Sequence, residues 1–403
     1  MMIASINSPF EEEINFNQPQ NEINTEFSIK KPVLKVIGLG GGGCNAISRM
    51  MELGFHGVEF IAANTDHQAL NNIPAPVKIQ LGPRVTRGLG AGGDPAIGKA
   101  AAQESAKEIA DALAGADMVF LTAGMGGGTG TGSIPVAAEI ARQIGAVAIA
   151  VVTTPFSFEM GRRQKNSAEG LAQLQAQTNT LIAIPNDRLL YVAPKNLPIE
   201  TAFRLADDVL RQAVQGITEL ITEPGLINVD FSHIRRLMMM GGGSFMAIGH
   251  GYGENKSQQA IEQALNHPLL ETVSLDHASG IIANFTGGPD LTLYEVESAL
   301  TYLQNQTGSQ SEIVMGVIND DQMMGRVQVI LVVTGIVSPS LETTISRPAI
   351  KEAATVKVEN APVPKLAEAL PVGAYNLERL QEFPEPTNLD LPAFLRKRVK
   401  YDG

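Results

Sequence analysis

Residues 124–132 read Gly-Met-Gly-Gly-Gly-Thr-Gly-Thr-Gly, between an apolar stretch ending at Leu121 and a helical pattern containing Pro135. A run so rich in glycine forfeits backbone entropy, and a chain accepts that cost where its main chain must come close to something a Cβ would block. Between a strand and a helix, backbone N–H groups, hydroxyls and the helix N-terminus together suit an anion. A second turn, Gly38-Leu39-Gly40-Gly41-Gly42-Gly43, follows the apolar run Val33 to Ile37 and precedes a helical pattern from about Asn45. By itself it satisfies G-x-G-x-x-G at Gly38, Gly40 and Gly43, the dinucleotide pattern, with Asp66 as the acid after the second strand. That pattern leaves Gly126 to Gly132 unused, and neither turn carries the Gly-Lys-Ser or Gly-Lys-Thr of a Walker loop. Together the turns imply a lysine-free phosphate cradle; the bland alternative for the second is a plain surface loop.

The rest of the chain frames these turns. At 403 residues and 44% apolar composition it has material for about two packed domains. Residues 1 to 30, rich in Asn, Gln and Glu, read as an N-terminal arm without a signal-peptide pattern. From Lys31, apolar strand-like runs (Val33 to Ile37, Val58 to Ala63, Met118 to Leu121, Ala146 to Val152, Leu181 to Ile184) alternate with helical patterns, including Ser133 to Gln143. That order predicts an α/β domain with a parallel sheet over residues 31–200. Apolar positions from Phe203 to Leu220 recur on one helical face, so residues 201–224 form a long buried helix ending at Pro224 and Gly225. A smaller α/β domain follows over 225–337, with strands at Ile281 to Phe285, Ile313 to Ile318 and Val327 to Val337. Seven prolines between Ser338 and Pro386 mark a linker, and residues 387–403 form an apolar and basic end.

The formal net charge of −12 argues against nucleic acid as a partner and requires any phosphate site to be local. Cys44 is the single cysteine, which excludes internal disulfides and cysteine metal clusters and suits the cytoplasm. No apolar run approaches the ~20 residues that would span a bilayer.

The Gly126 to Gly132 run, with Asn64-Thr65-Asp66, Gly90 to Pro95, Thr154 to Glu159, Ile184 to Asp187 and Asn228 to Phe231, resembles the tubulin/FtsZ family, the tubulin-like cell-division GTPases of bacteria. The resemblance covers about Lys31 to Val337, and Leu389 to Arg396 is similar to that family's C-terminal peptide. It implies a GTP-binding domain joined by a long central helix to a smaller C-terminal domain. It also implies GTP or GDP with Mg2+ as ligands, and head-to-tail self-assembly in the cytoplasm at the mid-cell division site. Phosphate contacts are implied for Gly41, Gly42, Gly43, Cys44, Asn45, Gly127, Gly128, Thr129, Gly130 and Thr131, with Glu159 and Arg163 at ribose and phosphate. Guanine displays adjacent N–H donors, so its pocket needs a carboxylate. The resemblance gives that role to Asp208, with Asn186 as a second contact and Phe203 beside the ring. Without it, Asp208 is a solvated helix position and Glu159–Arg163 a surface ion pair.

Hydrolysis requires a water-orienting group that neither glycine turn supplies. The resemblance implies that the loop after the central helix, with Asn228 and Asp230, enters the next subunit's site. Here the chain departs from the family, whose loop has a second acid where this sequence has His233. A neutral imidazole can accept a hydrogen bond but adds no negative charge, so slower hydrolysis is expected. In the tail, Leu391, Pro392, Phe394, Leu395 and Arg396 are implied to dock membrane-anchor and regulatory division proteins. A GTPase polymer, a GTP-binding scaffold with little turnover and, remotely, a dinucleotide oxidoreductase are the functions these residues allow. Met238-Met239-Met240 has no assigned role beyond core or interface filling.

Overall fold

The computed structural model describes residues 31–336, apart from 160, 193–196, 223–224, 228, 242, 267–277 and 308–310. The expected arm, linker and docking peptide, and Asn228, lie outside the described residues. The elements of the first half are β1 (Leu34–Leu39), α1 (Gly40–Glu52), β2 (Glu59–Asn64), α2 (His67–Asn71), β3 (Val77–Gln80), α3 (Pro95–Glu104), α4 (Ala106–Leu113), β4 (Met118–Gly124), α5 (Thr129–Gln143), β5 (Val147–Thr154), α6 (Arg162–Gln177), β6 (Thr180–Pro185) and α7 (Asn186–Val192). The long helix α8 (Ile199–Thr222) leads to α9 (Phe231–Met239), β7 (Gly243–Tyr252), α10 (Lys256–Leu265), β8 (Gly280–Gly287), α11 (Leu293–Thr307), β9 (Glu312–Asn319) and β10 (Arg326–Ile336).

Ten strands form one sheet in the order β3-β2-β1-β4-β5-β6-β7-β10-β8-β9. The six N-terminal strands are parallel, as their alternation with helices requires. Their order reverses direction between β1 and β4, and a doubly wound sheet opens its ligand crevice at the carboxyl ends of strands at such a point. Beyond β6 the sheet is mixed: β10 runs antiparallel to both β7 and β8. The reason lies in the connections. Helical crossovers α10 and α11 return the chain in the same direction, whereas the short turn between β9 and β10 reverses it.

Side-chain alternation sets the layers. In β4, Met118 and Phe120 face one core with Leu34, Ile47 and the α8 residues Leu210, Val214 and Ile217, while Val119, Leu121 and Ala123 face a second core under α3, α4 and α5. A third core, with Ile261, Phe285, Val296 and Leu331, lies under α10 and α11. The α8 residues therefore share one core with strands of both halves, including Ile282, Ile330 and Val332. Gly216 makes that seat possible, since a Cβ there would stand 2.7 Å from Ile330 Cδ1.

Two helices begin earlier than their patterns suggest: α1 at Gly40 rather than near Asn45, and α5 at Thr129 rather than Ser133. Glycine propensity argues for loops at both places, but packing overrides it. The first turns of these helices lie against each other, and a Cβ on Gly40 would stand 2.7 Å from the Gly130 nitrogen.

Candidate functional site

Both glycine turns leave the sheet at the switch point, one after β1 and one after β4. Their glycines divide into two groups. A Cβ on Gly43 would strike the Thr122 carbonyl, on Gly128 it would stand 2.7 Å from Asp94 N, on Gly130 3.0 Å from Gly124 O, and on Gly132 it would strike the Pro95 carbonyl. On Gly42 it would stand 3.1 Å from Gly124 N. These glycines join the turns to each other and to α3. Around Gly41 and Gly127, by contrast, an added Cβ meets nothing within 4 Å. The open side of the paired turns is therefore marked by Gly41 and Gly127, with Asn45 exposed one turn beyond Gly41.

Hydroxyls tie this cradle. Thr131 Oγ1 accepts from Gly126 N at 2.8 Å, and Thr129 Oγ1 lies 2.6 Å from Thr65 Oγ1. Asn166 Nδ2 donates to the Gly126 carbonyl at 3.3 Å. Cys44 is buried, its thiol pointing at the Gly38 and Ala63 carbonyls, and burial pushes its pKa up to about 12. It is a structural thiol, so only its main chain can serve a ligand.

Two acids adjoin the cradle in space, Asp66 next to Thr65 and Asp94 beside Gly128, and both are engaged locally. Asp66 caps α2 through Ala69 N at 3.0 Å, and Asp94 caps α3 through Ala96 N at 2.9 Å while facing Arg162 at 3.5 Å. Asp66 thus serves as a cap at the start of α2.

On the flank formed by the β5–α6 loop, Phe156 stacks on Phe158 with centroids 5.1 Å apart and meets Phe203 edge-on at 5.5 Å. Phe156 is fully buried, whereas Phe203 is 38% exposed and presents part of its ring to the surface. Glu159 accepts from Phe156 N at 2.9 Å and pairs with Arg163 at 3.0 Å, so its carboxylate holds its own loop in shape. Asp187 accepts from Ser157 N at 2.7 Å, fixing the same loop to α7. Beside it, Asn186 is buried with Oδ1 lacking a hydrogen-bond partner.

The two acids on α8 differ sharply. Asp208 accepts from Arg211 Nε at 2.7 Å and from Gln212 Nε2 at 2.5 Å, one bond on each oxygen. Burial alone would raise its pKa, but the Arg211 charge and these bonds hold it below the ordinary carboxylate range. Asp207 has a different setting. It lies four residues after Phe203 and so shares that residue's face of α8. Burial pushes its carboxyl up to about 7 against the pull of Arg49 on α1, and the charge of Asp208 adds to the rise. The acid engaged by its neighbours is thus Asp208, and the one whose charge is poorly compensated is Asp207. The four-residue spacing from Phe203 was the sequence signal for it.

Asp230 lies on a different part of the surface. The segment before it pairs with the sheet edge at Ile227 and Val317, through Val317 N to Ile227 O at 3.1 Å. Asp230 is exposed and caps α9 through Ser232 N at 2.8 Å. That backbone bond, then the Ser232 hydroxyl, holds its pKa below the usual value, so it is a surface anion at neutral pH. His233 is exposed on the first turn of α9 beside it rather than packed into the core. Among the described residues no group of three or more His, Cys, Asp or Glu could hold a metal, and no helix is long and apolar enough to cross a membrane.

Residues 33–194 match the model of the Tubulin/FtsZ family GTPase domain, and residues 242–337 match that of the FtsZ family C-terminal domain. Cell division protein FtsZ 1 of Pyrococcus furiosus is 46% identical over 340 residues, 82% of this chain and 90% of that protein. A solved FtsZ dimer of M. jannaschii superposes with a TM-score of 0.72 at 45% identity, covering 76% of this chain and 89% of that one. CetZ2 of Haloferax volcanii, solved as a GTPgS-bound protofilament, has a TM-score of 0.67 over 77% of this chain and 96% of that one. At 20% identity that last likeness is one of fold.

Proposed function

Because this chain belongs to the tubulin/FtsZ family, as an FtsZ-like GTPase of cell division, we propose that it binds GTP at the paired glycine turns and assembles head to tail with copies of itself. One observation carries this reading: two glycine-rich helix starts meet at the switch point of the sheet, and of the glycines in the two turns Gly41 and Gly127 face open space. The main chain of residues 41–45 and 127–131 would donate to the phosphates. Phe203 would lie against the base, and the unpartnered Asn186 oxygen supports a polar contact there. For the guanine N–H donors we assign Asp207 in place of Asp208, whose two oxygens each already accept a bond from the same helix and whose charge is balanced by Arg211. Arg163, 54% exposed, remains available to phosphate, while Glu159 holds its loop through Oε1 and keeps Oε2, ion-paired with Arg163, for a ribose hydroxyl.

Mg2+ would arrive with the nucleotide, since that ion is usually held through substrate phosphates. When bound it would neutralise phosphate charge. With Asp66 and Asp94 serving as caps, the exposed Asp230 of a neighbouring copy is the acid we assign to orient water, and Asn228, two residues earlier in sequence, is assigned to the same task. His233 adjoins that position without negative charge, which favours slow turnover and a partly scaffolding role. Membrane-anchor and regulatory division proteins would join through Leu391 to Arg396, and the assembly would stand at mid-cell in the cytoplasm.

Light scattering and pelleting with GTP, GDP and ATP, with phosphate release followed in parallel, test this. Assembly with GTP but not ATP, and turnover that appears above a threshold protein concentration, are expected. Turnover strictly proportional to protein concentration would exclude a site completed by a second copy.

A further inference from the structure

Thr65 directly follows β2 and is fully buried, yet its hydroxyl makes one hydrogen bond among the described residues, 2.6 Å to Thr129 Oγ1. Its main chain is held as well: the Thr65 carbonyl accepts from Gln80 Nε2 at 2.9 Å and from Gly90 N at 3.3 Å. Thr129 is the first residue of α5 and is partly exposed. This difference in burial decides which hydroxyl donates. A buried O–H without an acceptor loses the full desolvation cost of the group, whereas a partly exposed one can direct its hydrogen outward. The Thr65 hydrogen therefore goes to Thr129 Oγ1, and the Thr129 hydrogen is left to point out of the fold.

We propose that Thr65 is a positioning residue for the nucleotide: by donating to Thr129 it fixes that side chain with its own O–H directed toward an anionic oxygen. The assignment rests on the reading of Thr129 as phosphate-facing. Thr65 does not touch the ligand. Its contribution is orientation, because a hydroxyl with a bound acceptor side has fewer ways to turn away. The chain thereby couples the β2 end, braced by Gln80 and Gly90, to the first turn of α5.

Affinity of the full chain for fluorescently labelled GDP tests this with Thr65→Val, which keeps shape and removes the donor, Thr65→Ser, which keeps the donor, and Thr129→Val. Thr65→Val is expected to bind about five- to tenfold more weakly, the scale of one hydrogen bond, and Thr65→Ser to regain most of the loss. In a Thr129→Val background the Thr65→Val change should add nothing. An equal loss in both backgrounds would overturn the proposal, because the effect would then be one of folding alone. Wild-type affinity of Thr65→Val alongside a weakened Thr129→Val would also overturn it, while wild-type affinity of Thr129→Val would remove the phosphate-facing reading beneath it. Thermal melting monitors folding, and Thr65→Ala makes the same comparison where Thr65→Val does not fold.

Discussion

Replacing Gly41 with Ala should move stability and ligand binding in opposite directions. Gly41 lies in the first turn of α1, exposed, with no atom within 4 Å of the place a Cβ would take. An unstrained Gly to Ala change in a helix stabilises by up to ~1 kcal/mol. In a protein of this size that amounts to a rise of about 1–3 °C in Tm. Gly43 is the control. Its Cβ would run into the Thr122 carbonyl, and forcing a methyl into packed backbone costs ~1–3 kcal/mol.

Ligand binding supplies the other half of the comparison. A nucleotide present at 100 times its Kd adds ~2.7 kcal/mol to the stability of the folded chain. If the Gly41 methyl occupies the approach of the phosphates and weakens binding a hundredfold, the same concentration adds only ~0.4 kcal/mol. Thermal melting with and without GDP reads both numbers from one sample. Gly41→Ala should melt higher than the wild type when nucleotide-free and gain little from GDP, whereas Gly43→Ala should melt lower from the outset. A wild-type GDP shift for Gly41→Ala would refute the division of the glycines into packing and ligand-facing groups.

Asp207→Asn should weaken GDP binding more than Asp208→Asn does, as equilibrium titration would record; the reverse order would restore the base contact to Asp208. GDP affinity should rise as pH climbs through about 7, because the ionised Asp207 carboxylate accepts the guanine N–H donors. The sign for stability is opposite: the folded nucleotide-free chain holds a proton that the unfolded chain has lost, so its stability falls as pH rises from the ordinary carboxylate range to about 7. Asp207→Asn should flatten both dependences. Asp230→Asn should lower GTP turnover by ~100-fold or more while leaving GDP affinity intact, and added to wild-type protein it should depress turnover by more than dilution. His233→Asp should speed steady-state phosphate release, and an unchanged rate would remove the idea that the imidazole slows this chain.

The strands were legible because both faces of Met118 to Leu121 and Val147 to Val152 are buried, one in each core, so the sequence carries them as continuous apolar runs. Helix starts were less so, since the first turns of α1 and α5 are held by each other's backbone, Gly40 against Gly130, which is remote in sequence. The same cause hides the roles of individual glycines: Gly41 and Gly43 look alike in a run, and only the Thr122 carbonyl tells them apart. The choice between Asp207 and Asp208 turned on Arg211 and Gln212, which take up the second acid. The antiparallel β10 follows from the length of one turn, which an apolar pattern does not encode.

Among the described residues, β6 and β7 pair at two positions, Leu181 with Gly243 and Ile182 with Ser244, whereas β10 and β8 pair along eight. The sheet is continuous in topology but mechanically unequal along its width. Two rungs resist shear poorly, so a load carried from one half to the other passes chiefly through α8, which shares a core with both. In a filament built from such subunits, bending compliance would concentrate at this seam in every copy, and stiffness would be set by how firmly one helix is held rather than by the breadth of the sheet.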